Sequence, residues 1–241
     1  MGFFECLLLV FVGFGAGFVQ RVSGFGLGIF AMIFLPHFMP THTAAAAISS
    51  IFSCGTTTFN AIKYRKKTSY KTALPMLIAS LVTIPFAVYF SSKISSRIFE
   101  VLLGAVLVIL SIYFLFLGNK IRINATAANG AISGALGGIL GGLFSTGGPP
   151  AVLYLASATP DNDTYFATIQ FYFCITNLYA TATRALSGVI NWQVLIFSAI
   201  GMIGCMLGDF VGGLIFKKLD SAKLKLIIYI GMIVSGIIMF F

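Results

Sequence analysis

Charge is what this sequence most lacks. Only 9% of its 241 residues are Asp, Glu, Lys or Arg, against roughly 25% in a soluble domain. A chain this poor in charge cannot wet its whole surface, which excludes a soluble globular domain. Acids are scarcer than bases, six against 15. Paired carboxylates for acid–base chemistry, HExxH, a nucleophile elbow and a Walker lysine pattern are all missing from the sequence. The chain is therefore not read as an enzyme, and no cofactor or metal is expected. The four cysteines, Cys6, Cys54, Cys174 and Cys205, sit in apolar stretches at no metal-ligand spacing and read as small core residues. GFGAGF (13–18) and GFGLG (24–28) follow no strand, so neither marks a dinucleotide site. The start, MGFFECLLLV, lacks a basic region and a small-residue cleavage site. It reads as a first helix and not as a cleaved signal.

What the chain has is apolar length. It is 59% hydrophobic with a mean hydropathy of +1.01. The fold class is an all-α polytopic membrane protein with the lipid bilayer as its main partner. The alternating ten-residue strands of a membrane barrel are missing. The net charge of +9 falls mostly in short loops between apolar runs, where it orients a chain in the bilayer; nucleic acid is not a partner. Runs at 44–62, 72–92, 98–117, 164–183, 193–216 and 224–241 approach the ~20 residues of a full crossing. Runs 24–39 and 147–159 are shorter, and a polar Gly-rich break precedes each. They read as half-helices.

The two breaks resemble one another. GFVQRVSGFGLGIFAMIFLP (17–36) and GLFSTGGPPAVLYLASATP (142–160) lie about 125 positions apart. KISSRIFEVLLG (93–104) and KLDSAKLKLIIY (218–229) repeat the offset. The chain therefore reads as a duplication within one membrane domain. The first repeat, 1–120, holds broken segment 3–39 and helices 44–62, 72–92 and 98–117. The second, 121–241, holds broken segment 128–159 and helices 164–183, 193–216 and 224–241. If the halves are inverted, the basic loops 63–71, 118–124 and 217–225 share one side, with eleven basic residues against three. Parallel halves give eight against six. The positive-inside rule favours inverted repeats, each with a broken or re-entrant pair and three full helices.

A helix broken at membrane depth frees backbone groups that lipid cannot satisfy, so the break must face protein or a polar cavity. The half-helix N-termini then point N–H groups at that cavity, as an anion site requires. Arg21 costs at least ~2.5–3.5 kcal/mol at the bilayer centre. Either it lines the cavity as the fixed charge for an anion, or it snorkels or caps carbonyls at a helix end. Gln20 and Ser23 flank it as hydrogen-bond donors, and Gly24 and Gly26 let backbone approach a ligand. The second break offers hydroxyls and backbone without charge: Ser145, Thr146, Gly147 and Gly148. Polar stripes on 44–62, ending at Asn60, and on 164–183, through Gln170, Asn177 and Arg184, read equally as cavity lining or as helix–helix hydrogen bonding. Arg184 sits near a helix end, where it can snorkel. Asp209 is the clear acid inside a full-length helix. It reads as a carrier of coupling protons or ions, or as a structural partner to an Arg.

These duplicated breaks, with the basic pair at 217–218 before the last helix, resemble the TauE/SafE family of sulfite and organosulfur anion exporters over nearly the whole chain. The first break matches a Q-R/G-x-x-G-F-G pattern at Gln20, Arg21, Gly24, Phe25 and Gly26. The second departs from the commoner G-x-G-G-G form, with Thr146-Gly147-Gly148-Pro149-Pro150. The resemblance implies a secondary transporter of a small anion, such as sulfite or a C2 sulfonate, in a bacterial inner membrane. Rival readings are a passive anion channel and a non-transporting assembly factor. A homodimer is compatible with the sequence.

Overall fold

The computed structural model describes residues 3–116, 123–215 and 221–241. Among them lie ten α-helices and no strand: α1 (Phe3–Ser23), α2 (Leu27–Phe34), α3 (His42–Tyr64), α4 (Tyr70–Lys93), α5 (Ser96–Phe116), α6 (Ala127–Phe144), α7 (Gly148–Ala158), α8 (Asn162–Leu186), α9 (Trp192–Ile215) and α10 (Ser221–Ile238). Of the basic loops used to orient the chain, 63–71 is described. Residues 117–122 and 216–220, which carry much of loops 118–124 and 217–225 and the basic pair at 217–218, lie outside the described residues.

Helix starts are set locally. Thr41 accepts from the Ala44 N–H at 3.1 Å, Thr126 from Asn129 at 3.2 Å, Asp161 from Thr164 at 2.8 Å and Asn191 from Val194 at 2.9 Å. Each side chain satisfies an N–H that the first helical turn leaves free. Pro149 and Pro150 open α7, where a missing N–H does no harm.

Among the described residues, five helices, α1, α4, α5, α6 and α9, are long and apolar enough to cross a membrane. Large side chains such as Phe11, Phe86, Ile109 and Phe210 stand 64–73% exposed on the outside of the bundle, as a lipid-facing surface requires. The long helices α3 and α8 are more polar. They bury Ser49, Ser50, Ser53, Thr56, Thr57 and Asn60 on one and Thr168, Gln170, Thr176 and Arg184 on the other. These two pack against each other in opposite directions, joined by Cys54–Thr181 and Thr58–Cys174 contacts, both 3.4 Å.

The helices pair across the two halves of the chain. α1 packs on α9, and α6 packs on α4. In lipid such pairs depend on close van der Waals approach, which small residues permit. A Cβ on Gly17 would lie 2.0 Å from the Cys205 carbonyl, and one on Gly208 would lie 1.9 Å from that of Phe14. On the other pair, Gly134 meets the backbone of Met76 and Gly138 meets Ser80 and Thr83. Both pairs run in parallel. α5 and α10 run antiparallel: Gly104 meets Gly236, and Arg97 near the start of α5 donates to the carbonyls of Met239 and Phe240. Exchanging α1–α5 for α6–α10 turns the α1–α9 contact into the α6–α4 contact.

Candidate functional site between two helix breaks

The chain leaves helical geometry between α1 and α2 and again between α6 and α7. In the first break Gly24 and Gly26 take φ values of +79° and +99°, a region open to glycine at little cost. In the second, Ser145 ends α6 with φ +59°. The breaks meet backbone to backbone: a Cβ on Gly28 would lie 1.8 Å from the Ser145 carbonyl oxygen.

A cavity of about 40 Å³ lies at this meeting point. Gln20, Gly26 and Gly28 line it from one break, and Ser145, Thr146, Gly147 and Gly148 from the other. Ser53 and Thr57 of α3 and Thr176 and Asn177 of α8 complete its polar wall. Ser53 and Thr57 belong to the polar stripe read on run 44–62, whereas sequence reasoning did not single out Thr176. Thr57 and Thr176 lie on the helices with polar stripes, one turn or less from Asn60 and Asn177.

The two breaks differ in what they leave open. In the first, Gln20 Oε1 accepts from the Leu27 N–H at 3.3 Å, and its Nε2 donates to Gln170 Oε1 at 3.3 Å. Gln170 Nε2 in turn donates to the Gly24 carbonyl at 3.1 Å. Two buried amides thus engage the Leu27 N–H and the Gly24 carbonyl of the first break. Gln170 works as a prop for that break and is not among the cavity-lining residues. The second break has no such amides. No side chain caps α7, whose N-cap Gly147 and first residue Gly148 line the cavity. The Thr146 hydroxyl is 2% exposed by residue and has no hydrogen-bond partner. A buried polar atom without a partner is costly, and this one belongs to a residue that lines the cavity.

Of the other residues singled out from the sequence, Ser23, Gly24 and Phe25 stand just outside the lining and Asn177 is part of it. Ser23 turns its hydroxyl back to the Val19 carbonyl at 2.7 Å and to that of Phe25. Phe25 packs on Phe114, with centroids 5.5 Å apart, and lies close to Gly148. Gly24 supplies the carbonyl held by Gln20 and Gln170. Asn177 lines the cavity while its Nδ2 donates to the Phe173 carbonyl at 2.8 Å.

Arg21 belongs to a separate cluster. Its Nη1 donates to Asn60 Oδ1 at 2.7 Å and its Nη2 to the Tyr64 hydroxyl at 3.1 Å. Its guanidinium also lies 5.6 Å from the Phe166 ring centroid. Asn60 Nδ2 donates to Asp209 Oδ1 at 3.3 Å. Arg21 and Asp209, with Lys63, line a crevice of about 430 Å³ beside α3 and α9. The expectation that Arg21 lines the cavity between the breaks is corrected by this geometry. Adjacent residues on a helix point about 100° apart, and Gln20 takes the cavity side.

Arg184 does not snorkel to an interface. It is 2% exposed and donates to Ser50 Oγ at 2.6 Å and to the carbonyls of Gly141 and Gly142 at 3.0 and 2.8 Å. Those carbonyls lie in the last turn of α6, where a cation is favoured by the helix dipole.

Fold and site together define a multi-pass helical membrane protein with a small polar cavity where the α1–α2 and α6–α7 turns meet. The chain belongs to the TauE/SafE family: the family described as Sulfite exporter TauE/SafE matches residues 9–239. No curated protein and no solved structure matches it significantly. Family membership points to a membrane transporter for sulfite or a related anion.

Proposed function

We propose that this chain is a secondary transporter that exports a small anion, a sulfite-type oxyanion or an organosulfonate, across the bacterial inner membrane. The anion sits in the cavity between the two breaks, and alternating access exposes it to either side. The observation that carries this reading is the second break: an unpartnered Thr146 hydroxyl beside the uncapped start of α7, both at the cavity. Pro149 and Pro150 carry no N–H, so in the first turn of α7 it is the Gly148 N–H that is left to favour an anion, and hydroxyl and amide donors can hold its oxygens. A volume of about 40 Å³ holds roughly three water-sized groups, which favours a compact oxyanion over a larger sulfonate.

Inverted repeats support the transport cycle. The opposed directions of α3 and α8 and of α5 and α10 favour this topology, as does the charge bias of the loops. Repeats of this kind can exchange roles as access alternates. The Arg21–Asn60–Asp209 cluster takes the coupling role, with Asp209 as the proton or ion carrier. Its neighbour in sequence to Arg21, Gln20, faces the anion cavity, so both clusters act on the last turn of α1.

The test is efflux of sulfite from proteoliposomes loaded with it. The account expects sulfite to move against its own gradient when an opposing proton or ion gradient is imposed, with counterflow. Flux that never exceeds the sulfite gradient and shows no counterflow would indicate a channel. No flux and no specific ligand would indicate an assembly factor.

A further inference from the structure

Resting on the reading that the cavity holds an anion, we propose that Arg184 sets its preference for negative charge without touching the ligand, by orienting the Ser50 and Ser145 hydroxyls so that Ser145 donates into the cavity.

Only the first link has a fixed direction; the proposal assigns the second. A guanidinium only donates. Arg184 Nη1 donates to Ser50 Oγ at 2.6 Å, so that oxygen is an acceptor on this side. The Ser50 proton is then free for Ser145 Oγ, 3.1 Å away. Either hydroxyl can donate in this pair; in the proposed direction Ser145 accepts and keeps its own proton for a further partner. Ser145 lines the cavity. Three links thus carry the cation's influence to the cavity wall, and each link polarises the next.

Two further observations fit this role. Arg184 Nη2 holds the carbonyls of Gly141 and Gly142, and Gly141 lines the cavity. Engaging these oxygens weakens acceptors that would repel an anion. Ser145 is also the single non-glycine residue with positive φ among the described residues, at 59°. Glycine would adopt that conformation more easily, yet a hydroxyl stands there, in register with Ser50. The hydrogen bonds of Arg184 all go to neutral oxygens. A buried charge with such partners is costly to keep, and an anion in the cavity supplies the missing opposite charge.

Arg184→Gln is a poor test, because it strips partners from two carbonyls and from the end of α6. Ser50→Ala leaves those carbonyl bonds in place and cuts only the relay. We would measure sulfite binding calorimetrically to the purified full chain, for wild type, Ser50→Ala, Ser145→Ala and the double variant, with melting temperature recorded for each. A hydrogen bond to a charged group corresponds to a roughly 10- to 100-fold change in affinity. The relay predicts a loss of about 10-fold or more in each single variant. It also predicts no additional loss in the double variant, since coupled residues do not add. Ser145→Gly relieves the positive-φ conformation, so it should bind weakly while melting no lower than wild type. If wild type binds sulfite and Ser50→Ala binds it equally well, or if the two single losses add, the relay is overturned and Arg184 is a cap for α6. If wild type binds neither sulfite, sulfate nor thiosulfate, the cavity reading fails and the relay falls with it.

Discussion

Asn60 stands between Arg21 and Asp209, accepting from Arg21 Nη1 at 2.7 Å and donating to Asp209 Oδ1 at 3.3 Å. One amide thereby serves an acid on α9 and a base on α1 from its place on α3. The amide links acid and base, and the proposed coupling role rests on that link. On this account Asp209→Asn retains sulfite binding but loses the dependence of transport on an imposed gradient. Full gradient-driven transport by Asp209→Asn would remove Asp209 from the coupling role. Asn60→Ala strips a partner from both charges and should destabilise the protein by about 1–3 kcal/mol, read as a lower melting temperature in detergent.

Thr146 separates binding from stability. Its hydroxyl has no partner within the protein, so Thr146→Val, nearly the same in shape, removes nothing the fold uses. Melting temperature should stay level or rise, while sulfite transport at low concentration falls by roughly 10-fold. A variant that melts much lower with unchanged transport would show the hydroxyl to be structural.

The α1–α9 contact depends on missing side chains. A Cβ on Gly208 would sit 1.9 Å from the Phe14 carbonyl oxygen, whereas one on Gly231 would meet nothing within 4 Å. Gly208→Val should therefore abolish folded protein in a size-exclusion assay. Gly231→Ala should be neutral, or stabilising by up to about 1 kcal/mol through helix propensity. Equal behaviour of the two variants would contradict the packing described.

Outside the membrane, one carboxyl gives a pH dependence. Hydrogen bonds from the Thr164 N–H and hydroxyl hold the Asp161 carboxyl below its ordinary range. A folded-state pKa below the unfolded value adds stability that is fully present above the unfolded pKa. That contribution is lost as pH falls through the folded pKa. Wild-type melting temperature should therefore drop on acidification below about pH 4. Asp161→Asn keeps a capping oxygen without the titration, so its drop should be shallower. The nearby Lys67–Asp163 ion pair is well exposed, at 56% and 69%, and adds little.

Much of this architecture is legible in the sequence because lipid imposes simple length rules. The apolar run 44–62 lies within His42–Tyr64, and the short run 147–159 nearly coincides with Gly148–Ala158. The glycine clusters mark where the chain turns, since few other residues take positive φ. Tertiary partners are less legible. Gln20 and Arg21 are adjacent, and nothing local says which faces the cavity. The choice is made by α9, where Gly212 and Gly213 leave room beside the Arg21 side chain. Arg184 near a helix end looks free to reach an interface, but the end of α6 and Ser50 enclose it. The pairing of α1 with α9 and of α6 with α4 is a property of both halves together, and no single segment encodes it.

The central claim is that a small oxyanion binds between the two breaks, chiefly at the second. The most direct test is ligand-dependent thermal stabilisation of the purified protein, since a ligand that binds the folded state alone must raise its melting temperature in a concentration-dependent way. Sulfite, sulfate, thiosulfate, isethionate and taurine would be screened against wild type, Thr146→Val and Arg21→Ala. The account predicts that sulfite stabilises wild type and Arg21→Ala, whatever the baseline of the latter, and stabilises Thr146→Val far less. Stabilisation retained in Thr146→Val and lost in Arg21→Ala would contradict it and move the anion to the Arg21–Asp209 crevice.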